Sequence, residues 1–168
     1  MPLKASNPDS PPNERTLRAR ALRLLGRREY ARREMAERLA RWGATNEQAA
    51  RVLDGLQADG LLSEQRYAES WIRTRLDRGD GPRRLRYALA QAGLDESLIE
   101  QALPENEDWA ARLEATRRRH FGAPAPVDWP EWARQARYLE RRGYSPELIR
   151  RRLPRPTMNS DPGDDVLE

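Results

Sequence analysis

The 168-residue chain has no cysteine, one histidine (His120), one phenylalanine (Phe121) and one lysine (Lys4). The missing cysteine excludes disulfide frameworks, thiolate metal sites and cysteine nucleophiles together. With a single histidine, a His-based zinc site has no second ligand and a serine-type triad has only one candidate base. No apolar run approaches the roughly 18 residues of a membrane span. The start, Met1 to Pro12, is rich in proline and has no apolar stretch, unlike a signal peptide. Hydrophobic residues are 38% of the chain and charged residues 35%. A core built from that composition is thin. The expectation is a cytoplasmic protein without a membrane segment, metal or other cofactor, and not an enzyme.

What is present in quantity is arginine, which supplies 30 of the 31 basic residues. Its planar fork suits carboxylates, phosphates and aromatic faces. The charge is unevenly placed: residues 1–43 carry +6, 44–116 carry −5, 117–156 carry +7 and 157–168 carry −4. Two basic ends around an acidic middle favour docking on an extended anionic or mixed-charge partner.

A repeat of fifty residues runs through the chain. Leu39, Leu89 and Leu139 fall in register, as do Gly43, Gly93 and Gly143, and Leu53, Leu103 and Leu153. Thr45, Asp95 and Ser145 each stand two residues after the glycine, Leu98-Ile99 matches Leu148-Ile149, and Pro104 matches Pro154. So many columns of fitting chemistry indicate a repeated unit. The leucine closes an amphipathic helix, and the glycine takes the left-handed conformation that terminates it. Thr45, Asp95 and Ser145 then cap the next helix, Pro146 occupies a first helical position, and Pro104 and Pro154 end the short helices.

A further helix precedes each pair. Leu17, Ala21, Leu24 and Leu25 carry it in the first unit, and Ala68, Trp71, Ile72 and Leu76 in the second. Trp109 and Leu113 carry it in the third. No sustained alternation marks a strand. The predicted fold is all-α, an elongated, curved array of three tandem three-helix repeats with about nine helices. Its expected divisions are a disordered tail over 1–13, repeats over 14–60, 61–104 and 105–153, and a disordered acidic tail over 154–168.

The sequence offers no reaction centre. His120, between Arg119 and Phe121, reads as a helix-end residue that bonds the last carbonyls. Gly79-Asp80-Gly81-Pro82 lacks the lysine-serine pair and the preceding strand of a phosphate loop, and reads as a turn with Pro82 starting a helix. Trp71 reads as core and Trp42 as a partly buried cap. Trp129 and Trp132, bracketing Pro130, anchor a helix start.

Several runs carry a resemblance: Leu22-Arg23-Leu24-Leu25, Arg28-Glu29-Tyr30, Glu37-Arg38-Leu39 and Trp42-Gly43. To these add Leu53-Asp54-Gly55-Leu56, Asp59-Gly60-Leu61-Leu62, Arg66-Tyr67-Ala68-Glu69-Ser70 and Gly81-Pro82-Arg83-Arg84-Leu85-Arg86. The last are Ala133-Arg134-Gln135-Ala136-Arg137-Tyr138-Leu139 and Arg141-Arg142-Gly143-Tyr144-Ser145. In their order and spacing these resemble the bacterial RecX family, modulators of the RecA recombinase, over about residues 15–153. The resemblance implies a tandem array of three-helix repeats that binds the RecA–DNA filament along its groove and limits extension, ATP hydrolysis and strand exchange. It also implies a binding regulator, expected here as a monomer. The chain departs from the pattern at Asp80, where an aromatic is expected, which puts a stacking role of that loop in doubt. Trp42 stands where a bulky residue is common.

The basic runs nominate the docking residues. Arg83, Arg84 and Arg86 occupy the first turns of a helix, where the dipole disfavours positive charge unless a partner supplies an anion. Arg134, Arg137 and Arg141 share a helix face, followed by Arg142 and then Arg150 and Arg151. Arg27, Arg28 and Arg32 form a second patch. Direct nucleic-acid binding through helix–turn–helix-like pairs is the rival expectation. It predicts affinity falling by orders of magnitude between about 50 and 200 mM salt.

Overall fold

A computed structural model describes residues 12–104 and 108–156. Among these residues there are nine helices and no strand. They are α1 (Glu14–Leu25), α2 (Arg32–Arg41), α3 (Asn46–Ala58), α4 (Glu64–Asp77), α5 (Pro82–Gln91), α6 (Glu96–Ala102), α7 (Trp109–Phe121), α8 (Trp129–Arg141) and α9 (Pro146–Arg152). None of these helices is long and apolar enough to cross a membrane. The expected disordered tails lie outside the described residues except at their inner edges. There Asn13 caps α1, Pro12 offers its carbonyl to Gln48, and Pro156 is buried.

The fifty-residue period is a period of turns. Gly43, Gly93 and Gly143 have φ of 86°, 90° and 94°, a region that only glycine enters freely. The residue after each glycine (Ala44, Leu94, Tyr144) donates its N–H to the carbonyl of the periodic leucine five positions back, at 3.1–3.2 Å. This is the Schellman closure of a helix. The same three leucines, Leu39, Leu89 and Leu139, are fully buried by their side chains.

Helix starts follow the polar residues. Thr45 forms a complete capping box with Gln48, and Ser145 accepts from the Leu148 N–H at 3.2 Å. Ser63 accepts from Arg66 N–H at 3.2 Å, while Asp108 and Asp128 cap α7 and α8. Asp95 corrects the expectation: it holds the extended N-cap backbone, but its side chain makes no capping bond. Pro82, Pro130 and Pro146 sit at helix starts, where a missing N–H costs nothing.

The described residues form two compact units. One takes the chain up to Ile72 together with Ala88–Leu103, and the other takes Arg73–Tyr87 and the chain from Pro104 on. The second sequence repeat is therefore shared between them, with α4 and α5 each crossing the division. The first unit's core joins Leu17 and Ala21 of α1, Met35 and Leu39 of α2, and Val52, Leu53 and Leu56 of α3. Trp42 packs half-buried against it, as expected. The second unit's core joins Leu113 of α7, Ala136 and Leu139 of α8, Ile149 and Leu153 of α9, and Tyr144 between them. On α4, Ala68 and Ile72 are buried but Trp71 is only half-buried, short of the core placement expected of it.

Candidate partner-binding surface

The second unit is organised by one carboxylate. Asp80, in the turn before α5, is 2% exposed. Its Oδ1 lies 3.2 Å from Arg142 Nη1 and 3.6 Å from Arg84 Nε, and its Oδ2 lies 3.9 Å from Arg75 Nη1. This buried anion fixes where Arg84 and Arg142 point. The backbone reinforces this. Gly81 N–H donates to the Arg142 carbonyl at 2.6 Å, and Arg83 N–H to the Gly143 carbonyl at 3.0 Å. Arg84 donates to the Arg141 carbonyl and Arg142 to that of Arg78, both at 3.1 Å. The turn into α5 is thus held against the turn out of α8.

Arg84 and Arg142 are consequently positioned by internal bonds rather than standing free. Arg83 faces Glu147 at 3.7 Å, and Glu147 also faces Arg150 at 3.5 Å. Arg86 is exposed on α5. Arg134 pairs weakly with Glu131 at 3.5 Å and lies 5.5 Å from the Phe121 ring. Arg137, Arg141 and Arg151 are exposed, and their side chains meet no carboxylate among the described residues.

The α8 face also carries an aromatic stack. His120 does not bond the last carbonyls of α7 as expected; its ring lies flat on Tyr138, centroids 4.1 Å apart and planes 7° from parallel. Phe121 meets both rings edge-on, and the Arg142 guanidinium sits 5.4 Å from the Tyr138 ring. Trp129, half exposed, and Trp132, packed on the core, meet edge to face at the start of α8.

The run Arg117-Arg118-Arg119 is structural. Arg117 is 1% exposed, and its fork grips Glu114 at 2.8 and 2.9 Å and the Ala123 and Pro124 carbonyls at 3.1 and 2.9 Å. Arg118 binds the same carboxylate at 2.6 Å. Hydrogen bonding from Arg117, with Arg118 adding to it against the cost of burial, holds the Glu114 carboxyl down at about 2 from its ordinary 4.5. A carboxylate with a lowered folded pKa stabilises the fold above its unfolded pKa and loses that contribution as pH falls toward the folded value. Glu114→Gln should therefore cost stability at pH 7 and remove the acid-side slope between about pH 4.5 and 2. Glu114 itself is about a third exposed, and glutamine keeps one acceptor for Arg117, so the expected loss is about 1–2 kcal/mol. Urea titrations across that pH range read it out; parallel wild-type and variant curves would contradict it.

In the first unit, Arg28 grips Glu34 with both terminal nitrogens, at 2.5 and 3.0 Å, and lies 3.6 Å from the Tyr30 ring centre. Arg32 is held by Asp54 at 2.7 Å and by Gln57. Only Arg27 of that expected patch lacks a carboxylate partner among the described residues. Sequence reasoning passed over its structural companions: Arg20, Arg23 and Trp42 line a cavity with it. The available signal was the interval of three and four residues from Arg20 to Arg23 on α1 and on to Arg27 in the turn that follows it. Among the described residues no cluster of His, Asp or Glu side chains is arranged to hold a metal ion.

Nine helices in succession with no strand among the described residues, closed by glycine turns at a fifty-residue period, define an all-α tandem helical protein. The comparisons with known proteins agree. Residues 18–56, 63–103 and 106–153 match the first, second and third three-helix domains of RecX in turn. The chain is 44% identical over 135 residues to the regulatory protein RecX of Halorhodospira halophila, covering 80% of this chain and 84% of that one. It is 47% identical over 138 residues to that of Pseudomonas entomophila, covering 82% and 89%. A crystal structure of RecX from Lactobacillus salivarius superposes with a TM-score of 0.69 at 19% identity, covering 82% of this chain and 92% of that chain. The chain belongs to the RecX family of regulatory proteins.

Proposed function

We propose that the protein acts in the cytoplasm, as a monomer, by binding the RecA filament on DNA and restraining it. The observation that carries this reading is the exposed α8 face. There Arg137 and Arg141 lie about one turn apart without a carboxylate partner among the described residues, beside the positioned Arg142. Guanidinium forks in that arrangement suit the carboxylates of a protein lattice and the phosphates it holds. Arg151 and Arg27 add further open cations elsewhere on the chain. Individually such exposed contacts are weak, but on a repeating filament they add through effective concentration. The mechanism is occupancy: a molecule seated across neighbouring protomers blocks the second DNA or holds the protomers in one state, and needs no bond-making group of its own.

Purified protein added at one molecule per few RecA protomers is expected to lower DNA-dependent ATP hydrolysis and strand exchange together. Unchanged rates at stoichiometric loading would overturn the proposal.

A further inference from the structure

Most arginines of the first unit that approach a carboxylate are paired with it: Arg18 with Asp59, Arg28 with Glu34, Arg32 with Asp54, Arg51 with Glu14 and Arg66 with Glu29. Arg20, Arg23 and Arg27 are not. Their side chains meet no carboxylate among the described residues, yet all three line one open cavity of about 330 Å³ whose other walls are Leu24 and Trp42. No acid contributes to that lining. The helix dipole accounts for tolerating Arg23 in the last turn of α1. It does not account for three cations converging on an aromatic wall.

The indole is itself placed for use. It rests on the first unit's core and remains partly exposed, and the Arg20 guanidinium stands 5.9 Å from its ring centre. An open depression of that size has room for one planar group against its aromatic wall. Forks that want phosphate, next to a flat face that wants a ring, match an unpaired nucleotide. In a duplex the base faces are already stacked and only edges are offered, so the ring face of Trp42 has nothing to receive.

We propose that the first unit binds single-stranded nucleic acid at this cavity, with one base against Trp42 and Leu24 and the flanking phosphates on Arg20, Arg23 and Arg27. The interaction needs no RecA, so its failure and that of the filament reading are separately visible.

The test uses the full chain and a fluorescein-labelled 20-nucleotide oligothymidylate, followed by anisotropy without RecA. Arg23→Gln with Arg27→Gln, both on exposed side chains, is expected to weaken binding at least about tenfold. It should also flatten the log–log salt slope by about 1.4, two single-strand phosphate contacts. Trp42→Leu is expected to weaken binding about 5- to 150-fold, the range for one base stack. Thermal melts establish that each variant is folded, and the arginine pair decides the matter if Trp42→Leu is not. Wild-type binding that both folded variants reproduce would overturn the proposal. So would equal affinity for a duplex of the same length, or displacement of the oligonucleotide by equimolar free thymidine triphosphate. An acidic peptide whose binding the variants abolish while the oligonucleotide's is unmoved would assign the cavity to a protein partner instead, and overturn it as well.

Discussion

Replacing Gly143 with alanine is expected to destabilise the protein by about 3–5 kcal/mol, among the larger effects a single added methyl group can have. Two causes add. Its φ of 94° lies where L-residues are strained, at a cost of about 1–2 kcal/mol. A Cβ there would also stand 2.5 Å from Arg84 N and Cβ and 3.0 Å from its Cα, so the obstruction is backbone. The neighbouring Gly81 is equally confined, its added Cβ meeting the Gly143 carbonyl at 2.7 Å. Gly60 separates the two causes, since it has a φ of 68° but nothing within 4 Å of an added Cβ. Gly60→Ala should therefore cost only the conformational part, about 1 kcal/mol. Paired urea titrations of the two variants read the difference. Equal losses would mean that the close approach of the α5 and α8 turns contributes nothing.

The second large effect concerns the partner. Reversing Arg137 and Arg141 to glutamate is expected to remove co-sedimentation with RecA filaments almost entirely, a loss of at least about a hundredfold in apparent affinity. The change turns two unpaired cations into two anions against a complementary surface, and like-charge juxtaposition costs several kcal/mol. Both side chains are exposed, so the fold should melt as the wild type does. Arg28→Glu with Arg32→Glu is the informative contrast. Those cations already hold Glu34 and Asp54, so reversal should lower stability more than filament binding. Undiminished co-sedimentation of the Arg137 and Arg141 variant would place docking on another face.

Local chemistry was legible in the sequence, and long-range pairing was not. The turns at Gly43, Gly93 and Gly143 depend on five or six consecutive residues, so a glycine in register with a leucine was enough to find them. Caps at Thr45 and Ser145 were found for the same reason, while Asp95, of the same chemistry and register, leaves its side chain unused. The arginines divided differently. Arg137 and Arg141 proved exposed, but Arg28 and Arg32 are neutralised by partners six and twenty-two residues away, and Arg142 by one sixty-two residues away. Nothing in a basic run announces which of its members another element will claim. Asp80 illustrates the limit: as a sequence feature it was a missing aromatic, and in the structure it is the buried carboxylate that aims two of the nominated arginines.

The Schellman turns use Leu39, Leu89 and Leu139 in two independent ways, as backbone acceptors and as core side chains. The acceptor role belongs to any amino acid, so the chain's reversal survives a change of side chain at that column, and only packing registers the loss. Duplicated copies of such a brick can drift in what they touch while keeping how they bend. That freedom lets one copy give up cations to internal partners and another leave them open for a visitor.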